Sequence, residues 1–438
     1  MDVTILPGAI EGTVAAIPSK SEAHRALICA AFAQGPTRVA CKSSSADIDA
    51  TVSCLTELGA QVSHEGGMLD VSPIPRGRDR HPKAREGRTL DCGESGSTLR
   101  FLLPVVAALG CNASLTGRGR LAERPLSPLY ELLVEHGAVL SPQGSFPLKV
   151  GGRLSGGVFE LPGDVSSQYV SGLLLAAAVT DIGVEVRVDE PVQSLSYVNL
   201  TCRTLRRFGI AVETWQRQSK RGSQAVWHVA PDQLPGSEGD VAVPGDWSNA
   251  AFWLCAGALA GSGVTVTGLD ADRTAGQGDR AIMAILARMG ARVVRGPESV
   301  SVMPGPLVGC DLDVSDTPDL VPPIAVVAAC AEGTTRIRGA ARLRLKESDR
   351  IATVSAALRA LGATVEEHPD GIDVHGVGTL SGGTVDAAND HRIAMMAAIS
   401  AARSSGAVTI AGADCVAKSY PSFYDDLALL GGVVTREG

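Results

Sequence analysis

Six times along the 438-residue chain, a short polar segment opens an apolar stretch of helical length that ends near a glycine. Residues at equivalent places in these segments are separated by steps of 76, 71, 80, 73 and 70 residues. An apolar stretch without a polar face predicts a helix that is buried on every side. The spacing therefore predicts six copies of one α/β unit, each built around a buried helix. The equivalent residues are Ser19, Ser95, Ser166, Asp246, Asp319 and Asn389.

A second series of motifs follows the same rhythm. Each motif predicts the end of a helix, then a glycine, then the start of a strand. The motifs are LTELGAQV, LLVEHGAVL, LRRFGIAV, LARMGARVV, LRALGATV and LALLGGVV.

The length and one break in composition predict how the repeats are grouped. A chain of 438 residues is too long for one ordinary core and fits two domains. The clearest break is the polar segment 216–239, which leaves three repeats before it and three after it. The strand-like segment before Pro18 is expected to join the later group, which otherwise has one strand fewer. We therefore expect one lobe from residues 1–18 and 240–438, and a second lobe from residues 19–239.

Composition and the absence of several motifs exclude some classes of protein. The ten cysteines form no CxxC pair and the chain has no HExxH motif, so a zinc site is not indicated. The net charge of −8 argues against a nucleic-acid partner. The N-terminus has no signal-peptide pattern and the longest apolar stretch is too short to span a bilayer. We expect a cytoplasmic protein with reduced thiols and no membrane association.

The first polar segment, PSKSEAHR, places cations where a helix alone would disfavour them. Lys20 lies in the first turn of the predicted helix, and Arg25 lies one turn below Ser21 on the same face. The N-terminus of a helix carries partial positive charge and unpaired backbone N–H groups, so a cation there calls for an anion to compensate it. A phosphate or carboxylate ligand meets that need. A solvated first turn with a chance lysine is the alternative.

The next polar segments repeat this pattern with neutral donors. Gly96, in CGESGSTLR, allows the backbone N–H groups to approach a ligand closely. Arg124 precedes Pro125 and therefore stands on a rigid, extended mount. Hydroxyl and amide groups open the third helix and suit a polyol or a phosphate, although simple helix capping is their commoner use. These groups belong to Ser166, Ser167 and Gln168.

Carboxylates join the cations in the second half of the chain. Asp319 follows Pro318 at the fifth helix start, and LRLKESDR brings Lys346, Glu347 and Arg350 together. If that segment is helical, Lys346 and Arg350 are like charges on one face, which an anion between them would compensate. A salt-bridged surface helix explains the segment equally well. The last segments add the cations Arg392 and Lys418.

The inventory of anion-binding cations and of carboxylates narrows the chemistry. The chain contains no GK dipeptide, and therefore no Walker A loop, and it contains no GxSxG elbow. Aspartate and glutamate remain as proton carriers. This set favours general acid–base catalysis on a phosphorylated small molecule.

The polar segments together resemble those of a known family, the 5-enolpyruvylshikimate-3-phosphate synthases among the enolpyruvyl transferases. The resemblance extends over essentially the whole chain. It rests on PSKSEAHR, GESGSTLR, AERPLSPL, DVSSQYVSG, LRLKESDR, NDHRIAM and AKSYPSF, in the order and spacing of the family.

The resemblance implies a two-lobed inside-out α/β barrel with six βαβαββ repeats, three per lobe, around buried parallel helices. The active site is expected in the cleft between the lobes, with no metal and no cofactor. The implied reaction transfers the enolpyruvyl group of phosphoenolpyruvate to the 5-hydroxyl of shikimate 3-phosphate. The family also implies inhibition by glyphosate, and we expect a monomer.

The resemblance also implies roles for individual residues. Asp319 is similar to the base that takes the hydroxyl proton, and Glu347 to the group that protonates the methylene carbon, with Lys20 and Lys418 sharing proton transfer. The implied shikimate 3-phosphate contacts are Lys20, Ser21, Arg25, Ser166, Ser167, Gln168, Ser194, Asp319 and Lys346. The implied phosphoenolpyruvate contacts are Lys20, Gly96, Arg124, Gln168, Arg350, Arg392 and Lys418.

Two other functions are weighed against this one. UDP-N-acetylglucosamine enolpyruvyl transferase shares the expected fold but needs a reactive cysteine in a glycine-rich loop, and Cys111 is the nearest candidate in the chain. A two-lobed anion-binding protein without catalysis would also use helix N-termini and cations, but it would not need Asp319 and Glu347.

Overall fold

The computed structural model describes residues 1–180, 182–220, 222–236, 239–259, 261–270 and 276–437. The chain divides into two compact units. Unit 1 comprises Met1–Ser19 and Pro244–Gly438, and unit 2 comprises Lys20–Val243.

Helices and strands alternate along both units. The α-helices are α1 (Lys20–Ala31), α2 (Ala46–Leu58), α3 (Gly96–Leu109), α4 (Leu129–Glu135), α5 (Ser167–Val179), α6 (Leu195–Arg207), α7 (Trp247–Leu259), α8 (Ile282–Arg288), α9 (Val321–Ala329), α10 (Arg350–Ala360), α11 (His391–Ser400) and α12 (Phe423–Leu429). The strands of the first half are β1 (Asp2–Leu6), β2 (Gly12–Ala15), β3 (Thr37–Ala40), β4 (Gln61–Glu65), β5 (Met68–Ser72), β6 (Arg88–Asp91), β7 (Ala113–Thr116), β8 (Ala138–Leu140), β9 (Leu148–Gly152), β10 (Gly157–Leu161), β11 (Val184–Asp189), β12 (Glu213–Ser219) and β13 (Gly222–Val229). The strands of the second half are β14 (Val241–Ala242), β15 (Val264–Thr267), β16 (Arg292–Arg295), β17 (Ser299–Met303), β18 (Asp311–Asp313), β19 (Thr334–Arg338), β20 (Thr364–His368), β21 (Gly371–His375), β22 (Gly383–Asp386), β23 (Val408–Ala411) and β24 (Val433–Glu437).

These elements form six repeats of one βαβαββ unit, as the sequence predicts. The second repeat of unit 2 is typical. Strand β6 leads through the buried helix α3 to the parallel strand β7, and α4 then leads to the antiparallel hairpin β8–β9. The four strands lie in the order β6-β7-β9-β8. The other sheets are β14-β3-β5-β4, β10-β11-β13-β12, β16-β17-β15-β2, β18-β19-β21-β20 and β22-β23-β1-β24.

Strands from distant parts of the chain complete three of these sheets. The segment before Pro18 forms two strands. β1 lies between β23 and β24, and β2 pairs in parallel with β15. In unit 2, the short strand β14 pairs in parallel with β3 and completes the first sheet.

The first helix of each repeat forms the core of its unit. In unit 2, α1, α3 and α5 pack against one another, and in unit 1, α7, α9 and α11 do the same. The residues of these helices are almost all buried, which explains their lack of a polar face. The contact between α3 and α5 is close at Gly172, where an added Cβ atom would lie 2.4 Å from the carbonyl oxygen of Arg100. Each unit is therefore an inside-out α/β barrel, with helices in its core.

The second helix of each repeat ends as the second series of motifs predicts. A glycine with positive φ follows each of α2, α4, α6, α8, α10 and α12, and a strand begins after it. Among the described residues, no helix has the length and apolar content that crossing a membrane would require. The six glycines are Gly59, Gly137, Gly209, Gly290, Gly362 and Gly431.

Candidate functional site

Lys20 opens helix α1 and is already paired with a carboxylate. Its Nζ atom lies 2.7 Å from Oδ2 of Asp47, in the first turn of α2. Both side chains are largely buried, at 17% and 12% exposure. Ser45 caps α2 and accepts a hydrogen bond from the backbone N–H of Ile48, which fixes the turn that carries Asp47. The predicted cation therefore has a defined position, and its partner was not predicted.

Arg25, one turn further along α1, is used mainly by the protein itself. Its Nη1 donates to the carbonyl oxygen of Ser21, and its Nε donates to the hydroxyl of Thr201 at 2.7 Å. Its Nη2 donates to the hydroxyl of Ser171 and to the carbonyl oxygen of Tyr197. Burial lowers the pKa of Arg25 to about 10, so the guanidinium remains charged at neutral pH. These contacts tie α1 to α5 and α6, and they use most of the five N–H groups.

Ser194 stands at the start of α6, beside the residues that hold Arg25. It is buried, and its backbone lies in the left-handed region with φ of 55°. Its carbonyl oxygen accepts the backbone N–H of Tyr197. Helix α6 thus links Ser194 to Arg25 through Tyr197 and Thr201.

The second helix start brings Gly96 against Arg124. Ser95 caps α3 and accepts the backbone N–H of Thr98 at 3.1 Å. Gly96 begins the helix, and a Cβ atom added to it would lie 2.6 Å from Nη1 of Arg124. Arg124 has the extended backbone expected before Pro125, with φ of −72° and ψ of 129°. The glycine leaves the space that the guanidinium occupies.

The third helix start is cross-linked to the second. Ser166 caps α5, and Ser167 is the first residue of that helix. Gln168 donates from Nε2 to the hydroxyl of Ser97 on α3, and its Oε1 accepts Nη1 of Arg100, both at 2.9 Å. These bonds hold the starts of α3 and α5 side by side.

In unit 1, Asp319 lies among three cations. It occupies a short 3-10 turn, Pro318–Leu320, directly before α9. Its Oδ1 is 2.9 Å from Nη1 of Arg350 and 3.4 Å from Nζ of Lys346. Its Oδ2 is 3.3 Å from Nη2 of Arg392. Burial favours the neutral acid, but these three cations outweigh burial and hold the pKa of Asp319 well below its usual range.

Arg350 is the centre of this network. It begins α10 and is 2% exposed. Besides Asp319, its guanidinium binds Glu347 Oε2 at 2.7 Å and both carboxylate oxygens of Asp390, at 2.7 and 3.1 Å. Burial opposes the charge of Arg350, but the three carboxylates raise its pKa. We name these six groups the unit 1 cluster: Asp319, Lys346, Glu347, Arg350, Asp390 and Arg392.

The unit 1 cluster has no net charge when all its groups are ionised, since three carboxylates face three cations. Burial lowers the pKa of Lys346, and the charge of Arg350 lowers it further, while Asp319 and Glu347 act in the opposite sense. Lys346 is therefore the cation of the cluster whose proton is most easily released.

Arg392 and Lys418 belong to the start of α11. Arg392 donates from Nη1 to the carbonyl oxygen of Asp319 at 3.2 Å and from Nη2 to the hydroxyl of Ser248 at 2.7 Å. Lys418 donates from Nζ to the carbonyl oxygen of Asn389 at 2.6 Å. Asn389 has a left-handed backbone with φ of 53°, which residues other than glycine rarely adopt. Lys418 therefore binds a strained turn directly before the helix.

Two of these segments have local geometries that the sequence leaves open. The KESDR segment is not helical at Lys346, because a 3-10 helix ends at Leu345 and α10 begins only at Arg350. Lys346 and Arg350 meet through Asp319 and not as neighbours on a helix face. The cap of α11 is Asp390 and not Asn389, since the Asp390 side chain accepts the backbone N–H of Arg392.

The predicted residues thus fall into connected groups within each unit. In unit 1, Asp319, Lys346, Glu347, Arg350 and Arg392 form one network. Three buried carboxylates of the two units were not predicted, because their partners are distant in sequence. The signal for Asp390 was its place in NDHR, and Asp47 follows a capping serine. The three missed residues are Asp47, Asp279 and Asp390.

One group of side chains has the composition of a metal site. The ligand atoms of Glu366, His368 and Asp373, on the β20–β21 hairpin, all lie within 4.8 Å of one another. Nη1 of Arg338 lies 2.6 Å from Oδ1 of Asp373, so a cation of the protein already compensates that carboxylate. None of these residues was predicted to bind a substrate.

Comparisons with known proteins agree with the resemblance found in the sequence. The family model described as EPSP synthase (3-phosphoshikimate 1-carboxyvinyltransferase) matches residues 6–427. A protein of Clostridium kluyveri named 3-phosphoshikimate 1-carboxyvinyltransferase is 38% identical over 433 residues, which are 99% of this chain and 98% of the relative. A protein of the same name from Halobacterium salinarum is 41% identical over 441 residues, covering 98% of this chain and 99% of the relative.

Solved structures give the same result for the fold. The EPSP synthase of Acinetobacter baumannii superposes with a TM-score of 0.78 at 29% identity, covering 99% of this chain and 100% of the other. The enolpyruvyl transferase NikO of Streptomyces tendae superposes with a TM-score of 0.76 at 21% identity, covering 99% and 98% of the two chains. At that identity, the second match bears on the fold alone.

Proposed function

Because the chain belongs to the EPSP synthase family, we propose that it transfers the enolpyruvyl group of phosphoenolpyruvate to the 5-hydroxyl of shikimate 3-phosphate and releases phosphate. The observation that carries this proposal is the unit 1 cluster. It places two candidate proton carriers, Asp319 and Glu347, on one buried guanidinium, that of Arg350. Neutralisation of the cations explains the presence of these carboxylates, and the proposed reaction in addition uses two of them, Asp319 and Glu347, as proton carriers.

Residues of both units are proposed to bind the two substrates. Helix starts with hydroxyl, amide and backbone donors suit the phosphate and hydroxyl groups of shikimate 3-phosphate, and guanidinium groups suit the carboxylate and phosphate of phosphoenolpyruvate. The proposed shikimate 3-phosphate residues are Lys20, Ser21, Arg25, Ser166, Ser167, Gln168, Ser194, Asp319 and Lys346. The proposed phosphoenolpyruvate residues are Lys20, Gly96, Arg124, Gln168, Arg350, Arg392 and Lys418.

The proposed chemistry is an addition followed by an elimination. Asp319 accepts the proton of the 5-hydroxyl while the hydroxyl oxygen bonds to C2 of phosphoenolpyruvate, and Glu347 in its protonated form gives a proton to C3. The Glu347 carboxylate then takes a proton from the new methyl group as phosphate leaves C2, which restores both the double bond and the protonated form of Glu347. Lys20 and Lys418 are proposed to assist these proton transfers. General acid–base catalysis of this kind contributes typically about 10²- to 10⁴-fold to a rate.

Substrate binding itself would prepare Asp319 to act as a base. The cations that hold its pKa below the usual range are Arg392, Lys346 and Arg350. These cations are the groups proposed to bind substrate anions. When those anions share the cations, less positive charge acts on Asp319 and its pKa rises. The carboxylate therefore becomes a stronger base when the hydroxyl that it must deprotonate is present.

The environment of Cys111 argues against UDP-N-acetylglucosamine as the acceptor. That reaction was expected to need a reactive thiol in a flexible loop. Cys111 is 3% exposed, and burial, together with the nearby charge of Glu86, raises its pKa to about 11. Its thiol is protonated at neutral pH and is a poor nucleophile or acid.

Phosphate release under four conditions tests the proposal. The purified chain is incubated with phosphoenolpyruvate alone, with shikimate 3-phosphate alone, with both, and with phosphoenolpyruvate plus UDP-N-acetylglucosamine. Release only with shikimate 3-phosphate and phosphoenolpyruvate together supports the proposed function. Release that requires UDP-N-acetylglucosamine, or binding of both ligands without release, contradicts it. An Asp373→Asn variant is the control, because it removes a carboxylate of unit 1 outside the unit 1 cluster.

We further propose that the protein acts as a cytoplasmic monomer and that glyphosate inhibits it. The support for the compartment is the state of the cysteines, since all ten are free thiols. The support for inhibition is the family and the close approach of Gly96 to Arg124, a proposed phosphoenolpyruvate residue.

A further inference from the structure

Asp279 is a buried carboxylate of unit 1 to which the proposed reaction gives no role. It lies in the short 3-10 helix Gly278–Ala281 and is 3% exposed. The preceding Gln277 fixes its position. Nε2 of Gln277 donates to the carbonyl oxygen of Gly245 at 2.9 Å, and its Oε1 accepts the backbone N–H of Trp247 at 3.0 Å. The segment that carries Asp279 is thus clamped to the start of α7.

Ser248 connects Asp279 to Arg392. The serine hydroxyl accepts Nη2 of Arg392 at 2.7 Å, and the same side chain lies close enough to Asp279 for a hydrogen bond that lowers the pKa of that carboxyl. A guanidinium can only donate, so the hydroxyl must use its own proton for the carboxylate. The three groups therefore form a directed chain from Arg392 through Ser248 to Asp279.

The position of Asp279 is electrostatically unfavourable. Burial raises its pKa to about 6, with a further contribution from Asp319 and a smaller one from Asp246. Its hydrogen bond to Ser248 and the charge of Arg392 act in the opposite sense. At neutral pH the carboxylate is still largely ionised and can accept the hydroxyl proton. A buried charge beside like charges contributes little to stability, which favours a role in orienting its partners.

We infer that Asp279 is a positioning residue that holds Arg392, through Ser248, in the orientation that binds phosphoenolpyruvate. The inference rests on the proposed function, in which Arg392 is a phosphoenolpyruvate residue. Both Nη atoms of Arg392 contact Asp319: Nη1 donates to its carbonyl oxygen at 3.2 Å and Nη2 to its Oδ2 at 3.3 Å, whereas the bond from Nη2 to Ser248 is shorter, at 2.7 Å. The hydrogen bond to Ser248 is therefore the shortest of the three bonds that orient the guanidinium, and the only one of them that Asp319 does not make. Without it, the side chain would be oriented by Asp319, which is itself proposed to act on the substrate.

Steady-state kinetics of three variants test this positioning role. Ser248→Ala and Asp279→Ala each break the chain, and each is expected to raise KM for phosphoenolpyruvate about 10-fold, the effect of about one lost hydrogen bond to a charged group. KM for shikimate 3-phosphate should stay within about twofold, and kcat should change less than KM for phosphoenolpyruvate. Asp279→Asn keeps an oxygen that accepts the serine proton and should restore most of the affinity. The double variant Ser248→Ala/Asp279→Ala should resemble either single variant, because both break the same chain.

Several results would overturn the inference. These are an unchanged KM for phosphoenolpyruvate in Ser248→Ala, equal losses for both substrates, additive effects in the double variant, or an Asn variant as impaired as the Ala variant. If Asp279→Ala does not fold, Ser248→Ala carries the test alone. Failure of the proposed function is recognised separately, because the unsubstituted chain would then release no phosphate with both substrates. Asp373→Asn again serves as the control for removal of a carboxylate from unit 1.

Discussion

Substitution of Gly96 by alanine tests the proposed phosphoenolpyruvate residues most directly. The added Cβ atom would lie 2.6 Å from Nη1, 2.7 Å from Cζ and 2.9 Å from Nη2 of Arg124. Ordinary van der Waals contact begins at 3.4 Å, so the guanidinium must withdraw by about 0.8 Å, the difference between 3.4 and 2.6 Å. The obstructing atoms are the end of a flexible side chain, and Gly96 is the first residue of α3. We therefore expect Arg124 to move while the helix stays intact.

The displacement determines the size of the effect. A charge-assisted hydrogen bond of about 2.8 Å that lengthens by about 0.8 Å is no longer a hydrogen bond. Loss of such a bond costs about 1.5–3 kcal/mol, or about 10- to 100-fold in affinity. We expect KM for phosphoenolpyruvate and the inhibition constant of glyphosate to rise by at least about 10-fold. KM for shikimate 3-phosphate should stay within about twofold.

The assay is phosphate release at varied phosphoenolpyruvate, with and without glyphosate, for the variant and for Gly35→Ala. Gly35 is the matched control, because a Cβ atom there would meet nothing within 4 Å and the backbone is not left-handed. The midpoint of thermal unfolding is measured in parallel. It should not fall, since alanine is the better helix former. An inhibition constant of glyphosate that equals that of the unsubstituted chain would refute the placement of Arg124 beside the phosphoenolpyruvate site.

Three further substitutions test other parts of the structure. Glu347→Gln keeps the shape that binds Arg350 but removes the proton carrier, so kcat should fall more than about 100-fold. Binding of shikimate 3-phosphate should be retained. A loss of kcat under about fivefold would contradict the role of Glu347 as a proton carrier. Burial raises the pKa of Asp279 to about 6 in the folded chain, whereas the pKa of an aspartate in an unfolded chain is about 3.9. Between these two pH values the folded chain binds more protons than the unfolded chain. The free energy of unfolding therefore falls as the pH rises through this range. Between pH ~4.5 and pH ~7, the free energy of unfolding measured with urea should fall by about 2 kcal/mol more in the unsubstituted chain than in Asp279→Asn. The same pH dependence of this free energy in both chains would contradict the prediction. In Arg25→Lys, the lysine cannot reproduce the contacts of the guanidinium with Thr201, Ser171 and Tyr197. The free energy of unfolding should therefore fall by about 3 kcal/mol or more, which thermal unfolding would show as a lower midpoint. An unchanged midpoint would refute the structural role of Arg25.

The sequence predicts most of the fold because each repeat carries local signals at both ends of its helices. Polar capping residues mark the helix starts, and a glycine marks the end of the second helix of each repeat. The pairing of distant strands has no such signal. β14 has only two residues, and its partner β3 lies about 200 residues earlier, so neither periodicity nor composition reveals the contact. The sequence likewise does not reveal that the two N-terminal strands, β1 and β2, enter different sheets.

The candidate site follows the same division between local and distant information. The motifs place the cations, because each cation stands within a few residues of a helix start. They do not identify the carboxylates that pair with these cations. Lys20 binds Asp47, 27 residues away, and Arg350 binds Asp390, 40 residues away. The sequence also leaves open whether KESDR is helical, and in the structure Asp349 caps α10 and thereby excludes Lys346 from the helix.

The residues that cap the core helices differ in charge between the two units. In unit 2 the caps of α3 and α5 are serines, which are neutral, whereas in unit 1 the caps of α7 and α11 are Asp246 and Asp390. Three closely spaced cations without carboxylates would repel one another, and unit 1 avoids this by neutralising them with Asp319, Glu347 and Asp390. A substrate anion must therefore compete with the protein's own carboxylates for each guanidinium. That competition lowers affinity, but each carboxylate relieved of its cation becomes a stronger base. The unit 1 cluster thus couples the arrival of a negatively charged substrate to the basicity that the proposed reaction requires.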